Sequence, residues 1–321
     1  MSVRSLRNWE EAAGRAAVRL GRPPHAPAAR AAAEEEVAEA SRALGHTAGR
    51  RVLEAVVAMP RRLLEPALKM AKAFQRAHQR AVRGAARIRR VVHTRETIVG
   101  EDGAHLGSTG GRGVWSEVYR DWATLALQTA GTGGPVTEHA AIEGLETLQA
   151  NGRLPLVWAT DNGPGYRPDG VGAWLVAHEV VHLRNRCHTP QDNAATERAV
   201  GEAKAEAGVG RGTPLASAEE GLARLDAACV RLNGRPRASR EGRTAEGLTH
   251  ALPSWETRVM RSEFFAACQG AIQRATGEGL GARARRTAER EAIFQTLERF
   301  GLMSRTRGGR PLTAFKPEMI S

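Results

Sequence analysis

The stretch Leu154-Pro-Leu-Val-Trp-Ala-Thr-Asp-Asn-Gly-Pro-Gly-Tyr166 runs from an apolar segment straight into an acid, an amide and a glycine. Residues 154–160 are apolar on both faces, which is the texture of a strand buried between helices. Asn162 and Gly163 then permit a tight turn, so Asp161 sits at the tip of a buried strand. An acid in that position is either a solvated turn residue or a group that holds something positive. Its surroundings decide between the two.

Working outward, the texture changes at Glu96. Thr97-Ile-Val-Gly-Glu-Asp102 reads as a first strand, Gly107 to Gly113 as a glycine-rich hairpin loop, and Val114 to Tyr119 as an alternating second strand. Thr124 to Thr129 reads as a third. Thr137 to Ala150 is helical, Leu154 to Thr160 is the fourth strand, and helix 170–179, strand 180–184 and helix 192–207 complete the series. A three-strand meander followed by alternating helix and strand predicts an α/β, ribonuclease-H-like mixed sheet over residues 93–208.

The flanks differ from this centre. Residues 1–92 are rich in Ala, Glu, Arg and Leu and predict helices. Glu34 to Leu44, the turn Gly45 to Gly49, and Arg50 to Val57 have the form of a helix-turn-helix. A long basic helix is predicted from Leu63 to Arg90, with Arg76, Arg80, Arg83 and Arg87 three or four apart on one face, as candidate DNA contacts. Residues 209–321 predict Gly/Arg-rich linkers and two or three helices, the last from Ala288 to Phe300. The basic tail Arg305 to Arg310 is expected to be mobile.

Charge follows the same division. Residues 1–92 carry 19 Lys/Arg against 8 Asp/Glu, residues 93–208 carry 9 against 15, and residues 209–321 carry 19 against 12. Basic segments attract a polyanion by releasing its counterions, so nucleic acid is the first partner to expect. An acidic centre between them makes sense if its carboxylates hold cations that act on that polyanion. No run of about 18 apolar residues predicts a membrane span. Cys187, Cys229 and Cys268 are an odd number at wide spacing, which fits a reducing, cytoplasmic setting and excludes a cysteine zinc site. The first residues lack the apolar core of a secretory signal.

Downstream of Asp161 lies Thr189-Pro-Gln-Asp-Asn-Ala-Ala-Thr-Glu-Arg198, with 35 residues between Asp161 and Glu197. Asp102 closes the predicted first strand 59 positions before Asp161. With Thr160-Asp-Asn-Gly163, Pro190 to Arg198 and Arg231-Leu-Asn-Gly-Arg-Pro236, residues 95–250 resemble the catalytic core of integrases and insertion-sequence transposases with a D,D-35-E triad. Ala194 stands where the pattern has glycine, and Arg237 where it has histidine. The resemblance implies Asp102, Asp161 and Glu197 as catalytic metal ligands for two Mg²⁺ or Mn²⁺ ions. It also implies cleavage of DNA ends and strand transfer, with homo-oligomers holding two ends on nucleoid DNA. It implies DNA contacts for Asn193, Arg198 and Lys204. Carboxylates suit the chemistry, because in-line phosphodiester cleavage needs cations on the attacking and leaving oxygens.

Other readings of the same residues stay open. Asp121 competes with Asp102 as the first acid, 40 positions before Asp161. His178-Glu-Val-Val-His182, with His188 beyond, matches a zinc-protease motif, although that motif needs one continuous helix and Val180 to Arg184 reads as a strand. No methionine occurs between Met70 and Met260 to form the turn such a protease uses. A catalytically inactive, transposase-derived DNA-binding protein is the third class. Lys204, seven positions after Glu197, is expected on the same helical face, with Gly201 between them.

Overall fold

The computed structural model describes residues 27–44, 49–57, 59–86, 88–131, 134–167, 169–186 and 189–312. The chain divides into two compact units, Met1–Arg87 and Ile88–Ser321. The first contains α1 (Pro27–Leu44), α2 (Arg50–Val56) and α3 (Arg61–Ala86). Apolar residues one turn apart bury Ala33 and Val37 against Leu53, Leu64, Leu68 and Ala71. Glu65 joins α3 to α2 through Arg50 at 3.0 Å and to its own helix through Arg61 at 2.7 Å. Arg76 and Arg80 are exposed. The Arg83 side chain, Arg87 and the turn at residues 45–48 lie outside the described residues, as does His188.

The second unit opens with β1 (Ile88–Val92), where the sequence predicts the last turn of the long helix. The meander follows as β2 (Ile98–Thr109), β3 (Arg112–Asp121) and β4 (Leu127–Gly131). Then come α4 (Glu138–Ala150), β5 (Val157–Thr160), α5 (Asp169–Ala177), β6 (Val181–Arg184) and α6 (Ala194–Ala207). The remainder is α7 (Ala218–Asn233), α8 (Ala245–Ala251), α9 (Arg261–Ala275), α10 (Ala282–Arg299), β7 (Met303–Arg307) and β8 (Arg310–Pro311).

Five strands form one sheet in the order β4-β3-β2-β5-β6. The meander is antiparallel, and β5 and β6 run parallel to β2. This is the mixed, ribonuclease-H-like order that the sequence predicts. β2 does not stop at Asp102. It continues to Thr109, because the hairpin turns on only two residues, Gly110 (φ 53°) and Gly111 (φ 79°). Positive φ at both positions is the geometry that matches strand twist, and glycine takes it without strain.

The two faces of the sheet are covered differently. One packs Val99, Tyr119 and Trp158 on Leu145 of α4 and Leu175 of α5. The other packs Ala104, Leu106 and Val118 on Ala199 of α6 and Leu225 of α7, and Ile98, Val157 and Leu183 on Trp255, Phe264 and Ile293. Residues beyond 209 therefore bury against the sheet. A second, three-stranded sheet pairs β1 with β7 and β7 with β8. The expected mobile tail is thus partly a strand: buried Arg305 reaches Glu291 at 2.7 Å and Glu298 at 2.8 Å.

Candidate active site

Strand register decides which side chains can meet. Directly opposed residues of an antiparallel pair share a face. Asp102 lies opposite Val118, and Gly100 opposite Arg120, so these four face α6. Glu101 lies opposite Tyr119 and looks the other way, toward α4. The parallel pairing of β2 with β5 ends at Gly100 and Ala159. β2 therefore projects past the tip of β5, and Asp102 stands in mid-strand beside the segment that begins at Asp161.

Gly100 sets how near α6 can come. A Cβ there would collide with Thr196 Oγ1 and lie 2.8 Å from Trp122 Nε1. Only a residue without a side chain lets the first turn of α6, which carries Glu197, sit against β2. Burial, then the charges of Asp161 and Glu197, push the Asp102 carboxyl up to about 6, while Lys204 and the Gly103 amide oppose the rise. The charges of Asp161, Glu197 and Lys204, carried on a loop and a helix, thus all bear on Asp102.

The Asp161 loop is tied down at both ends. Gly163 N donates to Asp161 Oδ1 at 2.6 Å, and Asn162 Nδ2 donates to the Asn185 carbonyl at 2.8 Å. Asn185 is in turn held by Arg290 of α10, whose Nη1 donates to its Oδ1 at 3.1 Å and to the Arg184 carbonyl at 3.0 Å. Arg290 also pairs with Asp192 at 3.4 Å, and Arg186 binds the same carboxylate at 2.9 Å. A contact path thus runs from the Asp161 loop through Asn185 and Arg290 to the segment that leads into α6.

On α6, Glu197 and Arg198 are exposed and Lys204 is half-buried. Neither neighbouring glutamate is left for Lys204: Glu202 pairs with Arg237 at 3.2 Å, and Glu206 pairs with Arg231 at 2.9 Å and Arg235 at 2.8 Å. Asn193 stands at the N-terminal boundary of α6, and its side chain makes no cap hydrogen bond. It is 5% exposed at the start of α6, where its carbonyl accepts from the Thr196 and Glu197 amides. Its buried side-chain Nδ2 has no hydrogen-bond partner.

Among the described residues, no three acid, His or Cys side chains close around a single point as a metal cage. The donor set is nonetheless of the kind Mg²⁺ takes: hard carboxylate oxygens, few in number, with water and substrate phosphate completing the shell. Burial, with the charges of Asp161 and Glu197 added to it, lifts Asp102, and a bound cation would offset both.

The rival readings meet a different geometry. Asp121 lies opposite Val99 on the α4 face, away from α6. It is buried and spent on the turn after β3, accepting from Glu96 N at 3.1 Å, Ala123 N at 2.9 Å and Thr124 Oγ1 at 2.9 Å. The zinc motif is broken between helix and strand, since α5 ends at Ala177 and Glu179 adopts φ 53°. His178 stacks on Trp174 at 3.8 Å, whereas His182 lies in β6, stacked on Trp158 at 4.9 Å and bonded to Thr160 Oγ1 at 2.9 Å. Residues at i and i+4 share a face only on one continuous helix, so this spacing does not bring the two imidazoles together.

Sequence reasoning did not single out Glu101, Glu117, Tyr119 and Tyr166. Glu101 and Glu117 are buried on the α4 face. Trp158 Nε1 donates to Glu101 Oε2 at 2.6 Å, and Tyr119 donates to Glu117 Oε2 at 2.5 Å. Strand alternation held the signal: Glu101 must face opposite to its neighbour Asp102. Arg120 and Arg240 also escaped notice, because only the fold brings them beside α6.

No family model matches the chain, and no curated protein matches it. Among solved structures, a chain of the simian T-cell lymphotropic virus intasome in complex with PP2A regulatory subunit B56 gamma is 18% identical, with TM-score 0.42 over 49% of this chain. The match spans only 55% of that intasome chain. The HTLV-2 integrase catalytic core in complex with magnesium, in its trimeric form, is 17% identical, with TM-score 0.38 over 48% of this chain and 97% of its own. The catalytic core of BIV integrase is 18% identical, with TM-score 0.36 over 49% of this chain and 95% of its own.

Proposed function

We propose that this chain is a metal-dependent polynucleotidyl transferase of the transposase and integrase kind, which cuts DNA ends and joins them to target DNA. The observation that supports the reading is the approach of Asp102, Asp161 and Glu197 from a strand, a strand tip and a helix, with Lys204 beside them. Two Mg²⁺ or Mn²⁺ ions held by these carboxylates would supply positive charge to the attacking and leaving oxygens. The chain's own groups do the rest. The Gly163 amide and the Asn162–Asn185 bond fix the direction of the Asp161 carboxylate. Gly201 leaves α6 bare between Glu197 and Lys204, so a phosphate backbone can approach and Lys204 can meet the DNA end. Arg198 adds charge on the adjacent face, and Arg76, Arg80, Arg83 and Arg87 are assigned to DNA outside the catalytic unit. Water opens the phosphodiester at the element end, and the freed 3′-hydroxyl then attacks target DNA. Holding two ends requires a homo-oligomer.

The test is nicking of a plasmid that carries the DNA flanking this reading frame, with Mg²⁺ or Mn²⁺. Asp161→Asn and Glu197→Gln are expected to abolish nicking and leave DNA binding nearly intact. Normal nicking by both variants sinks the assignment. DNA binding without nicking by the unaltered chain identifies the inactive, transposase-derived class instead.

A further inference from the structure

Beside the acids, the fold gathers arginines from separate segments around Arg198. Arg120 of β3 faces α6 because it lies opposite Gly100, and its guanidinium donates to the Ala195 carbonyl in the first turn of that helix. Arg240 Nη2 donates to the Trp122 carbonyl at 3.3 Å, which brings the segment after α7 to the same end of β3. Arg237 spans from that segment to Glu202 of α6 at 3.2 Å, and its buried Nε has no partner. Arg198 stands on α6 one turn before Glu202.

These four side chains come from a strand, a helix and a loop, and their charges bear on one another. Burial first, then Arg237, Arg198 and Arg240, pull the Arg120 guanidinium down to about 10, with Glu202 opposing. Arg89 and Arg243 add to the same field at Arg240, against Asp121. Asp121 is already engaged by three donors, so Glu202 is the principal counter-charge. The loop that presents Arg237 and Arg240 is held in shape: Gly242 N donates to the Arg237 carbonyl at 3.0 Å, and Glu241 takes φ 56°. Like charges assembled on a fixed frame are costly unless an anion joins them. Guanidinium forks suit phosphate in particular.

Position selects the anion. Successive residues on a helix point about 100° apart, so Glu197 and Arg198 look out of α6 onto neighbouring faces. A polyanion lying across the acids meets the arginines next, which a free phosphate ion would not require. We propose that Arg120, Arg198, Arg237 and Arg240 form a phosphate-binding cluster that grips the backbone of the DNA strand whose scissile bond lies at Asp102, Asp161 and Glu197. The assignment rests on the DNA-cutting reading above and names the residues that hold its substrate.

The experiment measures binding of the full chain to a fluorescent DNA duplex in EDTA across a salt series. Each phosphate contact contributes about 0.9 to the slope of log affinity on log salt. Arg237→Gln/Arg240→Gln should lower that slope by about 1.8 and weaken binding at least tenfold at low salt. Arg198→Gln, exposed and free of structural bonds to the rest of the cluster, should lower it by about 0.9 without touching the fold. Arg237→Lys/Arg240→Lys should restore the slope. If the unaltered chain binds DNA and both glutamine variants match it, the cluster falls and the DNA-cutting reading stands. If the unaltered chain binds no DNA, both fall together. Displacement of DNA by inorganic phosphate, beyond what chloride causes at equal ionic strength, assigns the site to a free anion and overturns the strand grip.

Discussion

At the scale of single residues, two positions govern the approach of the acids. Asp102 holds its proton to about 6 because it is buried and faces Asp161 and Glu197. A carboxyl whose folded pKa lies above its unfolded value stabilises fully below the unfolded value, and that contribution is lost as pH rises through about 6. In EDTA at pH 7, Asp161→Asn removes one repelling charge and is therefore expected to raise stability, by on the order of 1 kcal/mol. Melting curves check this, and a variant that melts lower at pH 7 contradicts it. Gly100 is the second position. Gly100→Ala should cost about 1–3 kcal/mol by overpacking against α6 and should depress nicking as Asp102 shifts. Thr196 Oγ1 is buried without a partner, so Thr196→Ala alone should cost little, and it should recover part of the loss in the double variant. Strict additivity of the two changes would show that the helix does not rest where Gly100 allows it.

At the scale of elements, β2 presents opposite chemistry on its two faces. One face offers Asp102 to α6. The other buries Glu101 beside Glu117, Tyr119 and Trp158. Burial pushes Glu117 up to about 7, and burial with the neighbouring Glu117 carries Glu101 well above the usual carboxylate range. Both shifts are upward, so the stability they provide is present at low pH and fades as pH rises through about 7. Glu117→Gln keeps the shape and removes the titration. Its stability relative to the unaltered chain should improve by on the order of 1–3 kcal/mol between pH 5 and pH 8. A difference independent of pH in denaturant titrations would refute the pair. Much of this layer was legible in advance, because β5, β6 and α6 carry their own periodicity and the apolar run before Asp161 admits few readings. The errors have local causes. Gly103 and Gly107 made β2 look finished at Asp102, whereas Gly103 faces Val136 and Gly107 sits at a bulge. β4 begins at Leu127 rather than Thr124, since the Asp121-capped turn consumes residues 122–124.

At the scale of the whole chain, the least legible feature was β1. Its partner β7 lies more than two hundred residues away, and nothing within Ile88–Val92 announces a strand that distant neighbours will complete. A boundary drawn at residue 92 would cut this strand from its sheet, whereas the compact units meet at Arg87 and Ile88. A chain beginning at Ile88 is expected to fold cooperatively, and one beginning at His93 to melt several degrees lower or to aggregate. Equal melting temperatures would mean that the β1–β7 pairing contributes nothing. Spacing singled out the acids and Arg198, but not Arg120 or Arg240, because strand and loop supply those two separately.

The β1–β7 pairing also fixes an order of events during synthesis. The ribosome delivers β1 more than two hundred residues before its partner β7, and delivers all three acids well before either α10 or β7. Until α10 emerges, Arg290 is absent and Asn185, which steadies the Asp161 loop, lacks its support. A nascent or prematurely ended chain therefore carries every acid of the site without the frame that aims them.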